Sequence, residues 1–586
     1  MKKNTWSLKE LYSSLESDIF KTDLTNTKVT LEVFSKWCSE NFISPDVPKS
    51  KLEYYIKHLN SIGTALEKLG EYCQLFLSTN TDRTPALNAL EAVEEFYLEL
   101  APINALFIKW LDTVDNIENI ISSSPSLQEH EFFIMENKEQ SKYTLSDGEE
   151  KAISKMRSTG SMAWTKLWEL QSSTLSIEID NEKLPLPAVR NMAYHDDRSM
   201  REKAYTAELA ALETISETSA AAINGIKGEV ITLCKMRGYK SPLEMTLLES
   251  RMDKDTISTM IQIMKEYLPV FRKYFAKKSQ LLGHKNGLPF YDIFAPVGNL
   301  SMSFTYEETK DIIIKNFNTF SKNLGDYAKM AFDRNWIDVY PKQNKRGGAF
   351  CANLHCIKES RILTNFGGTF NDVITLAHEL GHGYHGHCLN NCSHINSQYP
   401  MPIAETASTF CETIVKQALL KTAPDKEKLF ILENDISDYA QIIVDILSRF
   451  LFEDEVFKRR ENGSLSAEDL SSIMLWAQKE TYGNGLDEDF LHKYMWVVKP
   501  HYYDADFNYY NFPYAFGLLF SKGLYSLYLK NPDKFHTDYV KILSVTGCKS
   551  HKDIALMADI NITNEAFWRS SLDLIKDEID RYIEMV

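Results

Sequence analysis

Glycine and proline are scarce in this sequence, 24 and 18 among 586 residues. An architecture of many short strands needs turn residues at close intervals, so the shortage favours long helices. Cysteine offers no disulfide framework: nine residues, an odd number, are scattered at positions such as Cys38, Cys73, Cys234 and Cys548, as reduced thiols are. No stretch approaches about 18 uninterrupted apolar residues, which excludes a membrane-spanning helix. Basic residues are outnumbered, 65 Lys and Arg against 81 Asp and Glu, and a net charge of −16 excludes a nucleic-acid partner held through its phosphates. The runs Lys342–Arg346 and Lys458–Arg460 are short and read as solvated surface. No apolar segment follows Met1-Lys2-Lys3, so secretion by a signal peptide is not expected and the expected location is cytoplasmic. Internal repeats and low-complexity tracts are absent. What is present is a globular composition, 44% hydrophobic and 25% charged, in a chain long enough for two or more lobes.

From Leu8 to about Leu247 the apolar residues recur at helical spacing, as in Leu52, Tyr55, Ile56 and Leu59, or Ala92, Phe96, Tyr97, Leu100 and Ile103. Ser146-Asp147-Gly148-Glu149 reads as a helix start, and Glu178–Asn181 as a short hairpin or loop. Asp253 caps a long helix in which Pro269 predicts a kink or a break. Strand character is confined to Trp336–Gly368: Trp336–Tyr340, then Ala349–Cys356 after Gly347-Gly348, then Arg361–Phe366. The chain is helical again through Ile443–Glu455 and Ala467–Glu480 to a last helix from about Asn564. A boundary is expected near residue 200, giving an N-terminal helical domain over 1–200, although no flexible linker marks it.

The run His378-Glu379-Leu380-Gly381-His382 carries the chemistry. Histidines at i and i+4 share a helix face, about 5–6 Å apart at Cβ, so both imidazoles reach one metal ion. Glu379 is turned about 100° aside, which makes it a poor third ligand but places it to reach a water held by the metal. That is the arrangement of zinc hydrolases: protein ligands, an open position and a carboxylate base. Thr369 or Asn371 caps the helix, with Asp372 in its first turn, and Gly367 and Gly368 break the preceding strand. Downstream, Ile403–Glu412 is a second helical pattern in which Glu405 and Glu412 lie seven residues apart and point the same way. Glu405 can be the third ligand, and Glu412 can accept the free ring N–H of a ligand histidine. The alternative is a solvated helix whose glutamates face water. His385, His387, Cys388, Cys392 and His394 match no paired zinc scheme, and the pattern with a third histidine fails because Cys388 stands in its place. They read as the polar end of the helix and its loop.

The small sheet just upstream can offer an exposed edge to an extended peptide, with Gly367 and Gly368 as candidate substrate-binding positions, or it is an ordinary structural sheet. The densest aromatic block is His501–Gly517. Amide hydrolysis generates an oxyanion that needs hydrogen-bond donors, which one histidine and several tyrosines can supply. Packing is the rival role, but Asp504, Asp506, Asn508 and Asn511 interleave with the rings, so the block is not expected to be wholly buried.

Asn365–Thr369 with His378–His385, Ala404–Glu412, and Tyr510–Gly517 after His501 together resemble the thimet oligopeptidase and oligoendopeptidase F family of zinc metallopeptidases. The oligoendopeptidase F branch fits in length and in the Trp6–Tyr12 opening. The resemblance implies a mainly α, two-lobed helical body around a deep channel, with a small β-sheet next to a zinc-binding helix pair. It implies one Zn2+ per chain on His378, His382 and Glu405, Glu379 as general base, and His501, Tyr514 and Tyr510 as transition-state donors. Phe507 departs from a second tyrosine kept by thimet-type relatives. The expectation is a catalytic domain over 201–586 and a cytoplasmic zinc oligoendopeptidase acting on short peptides, without nucleic-acid or membrane partners. A zinc carboxypeptidase on a similar fold is the nearest rival. A catalytically inactive peptide-binding relative is a rival of another class, although such a protein usually loses its base or a ligand.

Overall fold

A computed structural model describes residues 4–80, 84–298 and 302–586. Helices carry most of the chain, as the glycine and proline shortage predicts. Five short strands are the only ones among the described residues: β1 Ser176–Ile179, β2 Glu182–Pro185, β3 Ile337–Asp338, β4 Phe350–Leu354 and β5 Glu359–Leu363. The chain forms two compact units that interleave in sequence. The first comprises Met1–Thr144, Ser301–Leu419 and Leu527–Ile560, and the second Leu145–Leu300, Leu420–Ser526 and Asn561–Val586. The expected boundary near residue 200 falls within the helix Arg198–Arg237 of the second unit.

In the first unit the helices Asp18–Asn41, Pro48–Leu77 and Thr84–Asp112 close around one apolar core. Their stripes meet at Leu31, Phe34, Leu52, Tyr55 and Phe107, and the Tyr55 and Phe107 rings stack at 3.9 Å. A three-stranded sheet of order β3-β5-β4 lies beyond, with β3 parallel and β4 antiparallel to β5. Its strands are shorter than the sequence suggests, because Trp336 and Val339–Tyr340 lie outside the two-residue pairing and His355–Ile357 forms a 3-10 turn between β4 and β5. Arg361 of β5 is buried, and its guanidinium donates to the Ser7 carbonyl at 2.6 Å and to Glu10 at 3.1 Å, fixing the N-terminal segment to the sheet.

The helix Phe370–Cys388 follows this sheet and packs on β4 and β5. Asn353 of β4 donates to the His382 carbonyl at 3.0 Å, which sets the helix against the strand. On its other side the helix crosses Thr406–Thr422 at Gly381. A Cβ at Gly381 would stand 2.6 Å from the Ala407 carbonyl oxygen and 2.6 Å from the Ser408 Cα, inside any allowed contact. The crossing therefore exists only because position 381 has no side chain.

The second unit is built on Arg198–Arg237, Lys254–Leu281, Ile446–Arg460 and Ala467–Tyr482. The predicted hairpin is present: β1 and β2 pair through Asp180-Asn181, both at positive φ, the two-residue turn that suits strand twist. Of the kink or break predicted at Pro269, the break is absent. Lys254–Leu281 runs through as one helix, its Asp253 cap accepting from the Thr256 N–H at 2.9 Å. Pro269 is exposed, while Met264, Leu268 and Phe271 on either side are buried. Burial of one continuous apolar face outweighs the single hydrogen bond the proline removes. A buried ion pair, Lys227–Glu453 at 2.8 Å, holds the aromatic segment, since Lys227 also donates to Asn508 at 2.9 Å and Glu453 accepts the Tyr509 N–H at 3.0 Å.

Because the Gly381 crossing is backbone against backbone, Gly381→Ala is expected to lower unfolding stability by about 1–3 kcal/mol in urea denaturation. Metal content is expected to fall with it, as the two helices move apart. An unchanged midpoint with unchanged metal content would show that the crossing relaxes without cost.

Candidate metal centre

The helix that bears the motif starts where its cap chemistry dictates. Thr369, not Asn371, is the cap: its hydroxyl accepts from the Asp372 N–H at 3.2 Å, and Asp372 Oδ2 accepts from the Thr369 N–H at 2.8 Å. The same oxygen accepts from the Gly367 N–H at 3.1 Å, and the Gly368 carbonyl accepts from the Phe304 N–H at 2.8 Å. Gly367 thus serves the helix start through its N–H, while the Gly368 carbonyl ties the turn before the helix to Phe304.

Two turns along, His378 and His382 project from one face, with their Nε2 atoms 3.0 Å apart. Glu405 Oε2 lies 3.3 Å from the first and 3.4 Å from the second. A tetrahedral ion with bonds of about 2.0–2.2 Å separates its ligand atoms by roughly 3.3–3.5 Å, so two sides of the triangle match one face of such a site and the histidine–histidine side is a few tenths of an ångström short of it. Glu405 is not inside a helix, as the sequence suggests. It is the hinge between Met401–Ala404 and Thr406–Thr422, and Ser408 Oγ, reaching back, donates to its Oε2 at 2.7 Å. Glu412 stays outside the triangle. Its Oε1 is 2.5 Å from His378 Nδ1, and its other oxygen is 3.1 Å from Lys416 Nζ. A proton on His378 Nδ1 leaves the Nε2 lone pair aimed at the centre of the triangle.

Burial works against a charged His378, but hydrogen bonding and charge from Glu405 and Glu412 outweigh it and hold its pKa up at about 10. His382 is pushed down to about 4 by burial and by the cationic His378. Both carboxylates are held at about 2 against the cost of burial, Glu405 by the two histidines and Glu412 by Lys416 and His378. The cluster therefore stabilises positive charge at its centre, and a metal ion displaces a proton on binding. Glu379 is 6% exposed, and its Oε2 has no hydrogen-bond partner. Burial first, then the charges of Glu405 and Glu412 against that of His378, lift its carboxyl to about 7.

The remaining predicted residues separate. His385 is not on a polar helix end: it is fully buried, stacks on Tyr399 at 4.1 Å and lies 2.8 Å from Thr546 Oγ1. Cys392 donates to the Ser544 carbonyl at 3.4 Å. His394 joins Glu67 and His355 in a second cluster of possible metal ligands. Sequence reasoning missed this group, since its members are spread over more than 300 residues and no spacing rule connects them.

His501, Tyr510 and Tyr514 lie in the second unit, where the structure brings them together. The His501 and Tyr510 rings stack at 5.2 Å, and Tyr510 meets Tyr514 edge-on at 5.9 Å. All three are half-buried, whereas Tyr502, Tyr503, Tyr509, Asn508 and Asn511 are buried and Phe507 is exposed. The block is thus divided between packing and partly accessible residues, and its polar members do not all face water. Burial, then the charges of Arg449, Lys499 and Lys227, push His501 down to about 4, so it is neutral near pH 7.

Comparison with known proteins bears on the whole chain. A sequence model of Peptidase family M3 matches residues 191–574, and one of Oligopeptidase F matches residues 113–176. Oligopeptidase PepF of Bacillus subtilis is 21% identical over all of this chain and 87% of its own length. An oligoendopeptidase F homologue of Lactococcus lactis is 24% identical, covering 100% of this chain and 97% of its own. Among solved structures, a Chlamydophila abortus protein assigned as a peptidase superposes with a TM-score of 0.84 at 22% identity, over 100% of this chain and 98% of its own. Oligoendopeptidase-F from Enterococcus faecium superposes with a TM-score of 0.71 at 17% identity, over 96% and 99%. These superpositions establish the mainly α fold. With the M3 match extending over most of its residues, the chain belongs to peptidase family M3, in the oligoendopeptidase F branch.

Proposed function

We propose that this peptidase is a zinc-dependent oligoendopeptidase that hydrolyses internal bonds of short, unstructured peptides. The observation that carries the reading is the triangle of His378, His382 and Glu405, with sides of 3.0, 3.3 and 3.4 Å, on the same helix pair as the unpartnered Glu379 carboxylate. Two imidazoles and one carboxylate are a donor set of catalytic zinc, with one position left open. Zinc, when bound there, polarises the attacking water and the scissile carbonyl.

The chain's own residues supply the rest. Glu379 takes a proton from the water as the new C–O bond forms, and delivers it to the amide nitrogen as the C–N bond breaks. A carboxyl lifted toward neutrality by burial suits both halves of that transfer. Glu412 and Ser408 hold the ligands in place, the first through His378 Nδ1 and the second through Glu405 Oε2. To His501 and Tyr514, with Tyr510 against both rings, we give the role of donating to the carbonyl oxygen as it gains charge. β4 is an edge strand, and the Gly367 carbonyl and Gly368 N–H are not used in the helix-start bonds, so these groups are assigned to the substrate backbone. A cytoplasmic setting accords with nine cysteines, none of them paired, and no helix among the described residues is long and apolar enough to cross a membrane.

A peptide of about 5–20 residues, blocked at both ends, is the test substrate, because a carboxypeptidase requires a free terminal carboxylate. Internal cleavage by the parent enzyme is expected, with no digestion of casein-sized chains. Glu379→Gln is expected to keep its zinc and lose about 10²–10⁴-fold in kcat. Turnover of Glu379→Gln within roughly tenfold of the parent would place the base elsewhere.

Tyr514→Phe removes one hydroxyl and keeps the ring. Loss of a donor that acts mainly in the transition state is expected to lower kcat by about 10²–10³ with little change in KM. An unaltered kcat beside an unaltered zinc content and melting curve would return Tyr514 to a packing role.

A further inference from the structure

In the first unit, three buried polar atoms converge: His355 Nε2 has no hydrogen-bond partner, and Glu67 Oε2 and His394 Nδ1 have only each other, as an ion-pair contact. Buried polar atoms are rarely left so, and three that converge need a common reason. Glu67 lies on the helix Pro48–Leu77, His355 in the turn between β4 and β5, and His394 in the loop after Phe370–Cys388. Their ligand atoms all lie within 4.8 Å of one another, and His394 Nδ1 is 3.3 Å from Glu67 Oε2.

We propose that Glu67, His355 and His394 form a second site for a divalent transition-metal ion, zinc being one that two imidazoles and one carboxylate suit. The site is built rather than accidental. Glu67 Oε1 accepts the His355 backbone N–H at 2.6 Å, which fixes the carboxylate and leaves its second oxygen for a ligand role. Gly63, one turn before Glu67 on the same helix face, provides the bed for His394: a Cβ there would stand 2.4 Å from Cδ2 and 2.6 Å from Nε2 of the imidazole. The ring therefore rests on bare backbone, with its Nδ1 toward Glu67. A cavity of about 230 Å³, lined by Glu67, His355, Glu359 and Tyr399 among others, leaves room for water on the open coordination positions. Closing the three atoms onto an ion with bonds of about 2.0–2.2 Å needs ligand separations of roughly 3.3–3.5 Å, a movement of the order of 1 Å by one imidazole.

This site uses none of the residues of the His378 centre, yet it bears on it. His394 belongs to the segment joining the helix of His378 and His382 to Glu405. An ion there ties that segment to the N-terminal bundle and to the β4–β5 turn, all within the first unit. Its role is that of a brace.

The test is zinc per chain after dialysis of metal-free protein against excess ZnCl2, measured by inductively coupled plasma mass spectrometry with circular dichroism as a check on folding. Two zinc ions are expected in the parent and one in the His378→Ala/His382→Ala variant, whose melting temperature is expected to rise with zinc. Adding Glu67→Gln and His394→Ala to that variant is expected to remove the remaining ion. The amide introduced by Glu67→Gln keeps an oxygen for the His355 N–H, so this change preserves the turn. No zinc in the His378→Ala/His382→Ala variant, or one that survives the loss of Glu67 and His394, would each overturn the second site. The first centre is judged separately, by whether the parent loses an ion when His378 and His382 are replaced.

Discussion

Two imidazoles and a carboxylate come within 3.0–3.4 Å of one another because two helices cross at a separation that only glycine permits. Gly381 stands between the histidines in sequence, so the residue that allows the crossing and the residues that use it share two helical turns. On the far side, Ala407 and Ser408 form the backbone wall, with Glu405 two residues before it and Glu412 one helical turn after it. Asn353 from β4 and the Thr369–Asp372 cap then fix where along the sheet the helix rests. Each contact is local, but all depend on the crossing.

Such a cluster is costly unless its charges are answered. Glu405 and Glu412 are held ionised in a largely buried setting, with His378 between them. Removing any one partner leaves a buried charge unpaired, which is far worse than never having placed the pair. Lys416 relieves one side and Ser408 supplies a hydrogen bond on the other, so the arrangement is satisfied around its rim and open at its middle. Glu379 stands apart from that network, with a carboxylate oxygen that no protein group engages. A group kept buried, unpartnered and near neutrality is suited to moving a proton rather than to holding a structure together.

Much of this was legible in the sequence, for stated physical reasons. Helical spacing placed His378 and His382 on one face and turned Glu379 aside, and the residue types of Ser146, Thr369 and Asp253 marked helix starts that the structure retains. Local rules failed where distant packing decides. Pro269 does not end its helix, because buried side chains on both flanks carry the helix through, and Glu405 sits at a break that no adjacent proline or glycine announces. His385 carries a polar label but has 0% exposure, with Tyr399 and Thr546 as its neighbours. The interleaving of the two units, and the meeting of Glu67, His355 and His394, depend on tertiary contacts between remote segments, which periodicity does not encode.

The aromatic block shows an intermediate case. Its composition pointed to a mixed surface, and the structure divides it residue by residue, with Tyr502, Tyr503 and Tyr509 in the core and His501, Tyr510 and Tyr514 half-buried in one cluster of rings. The central claim rests instead on Glu405, the one ligand that comes from outside the histidine motif. Its most direct test is the zinc affinity of Glu405→Ala against its parent, both in a Glu67→Gln/His394→Ala background so that one site is read, by competition with a chromophoric chelator. The tightest site is expected to weaken by more than the roughly 10–100-fold typical of losing a residue that merely supports a ligand. Zinc held as tightly as in the parent would contradict the account, since the triangle at the helix crossing would then not be the metal centre.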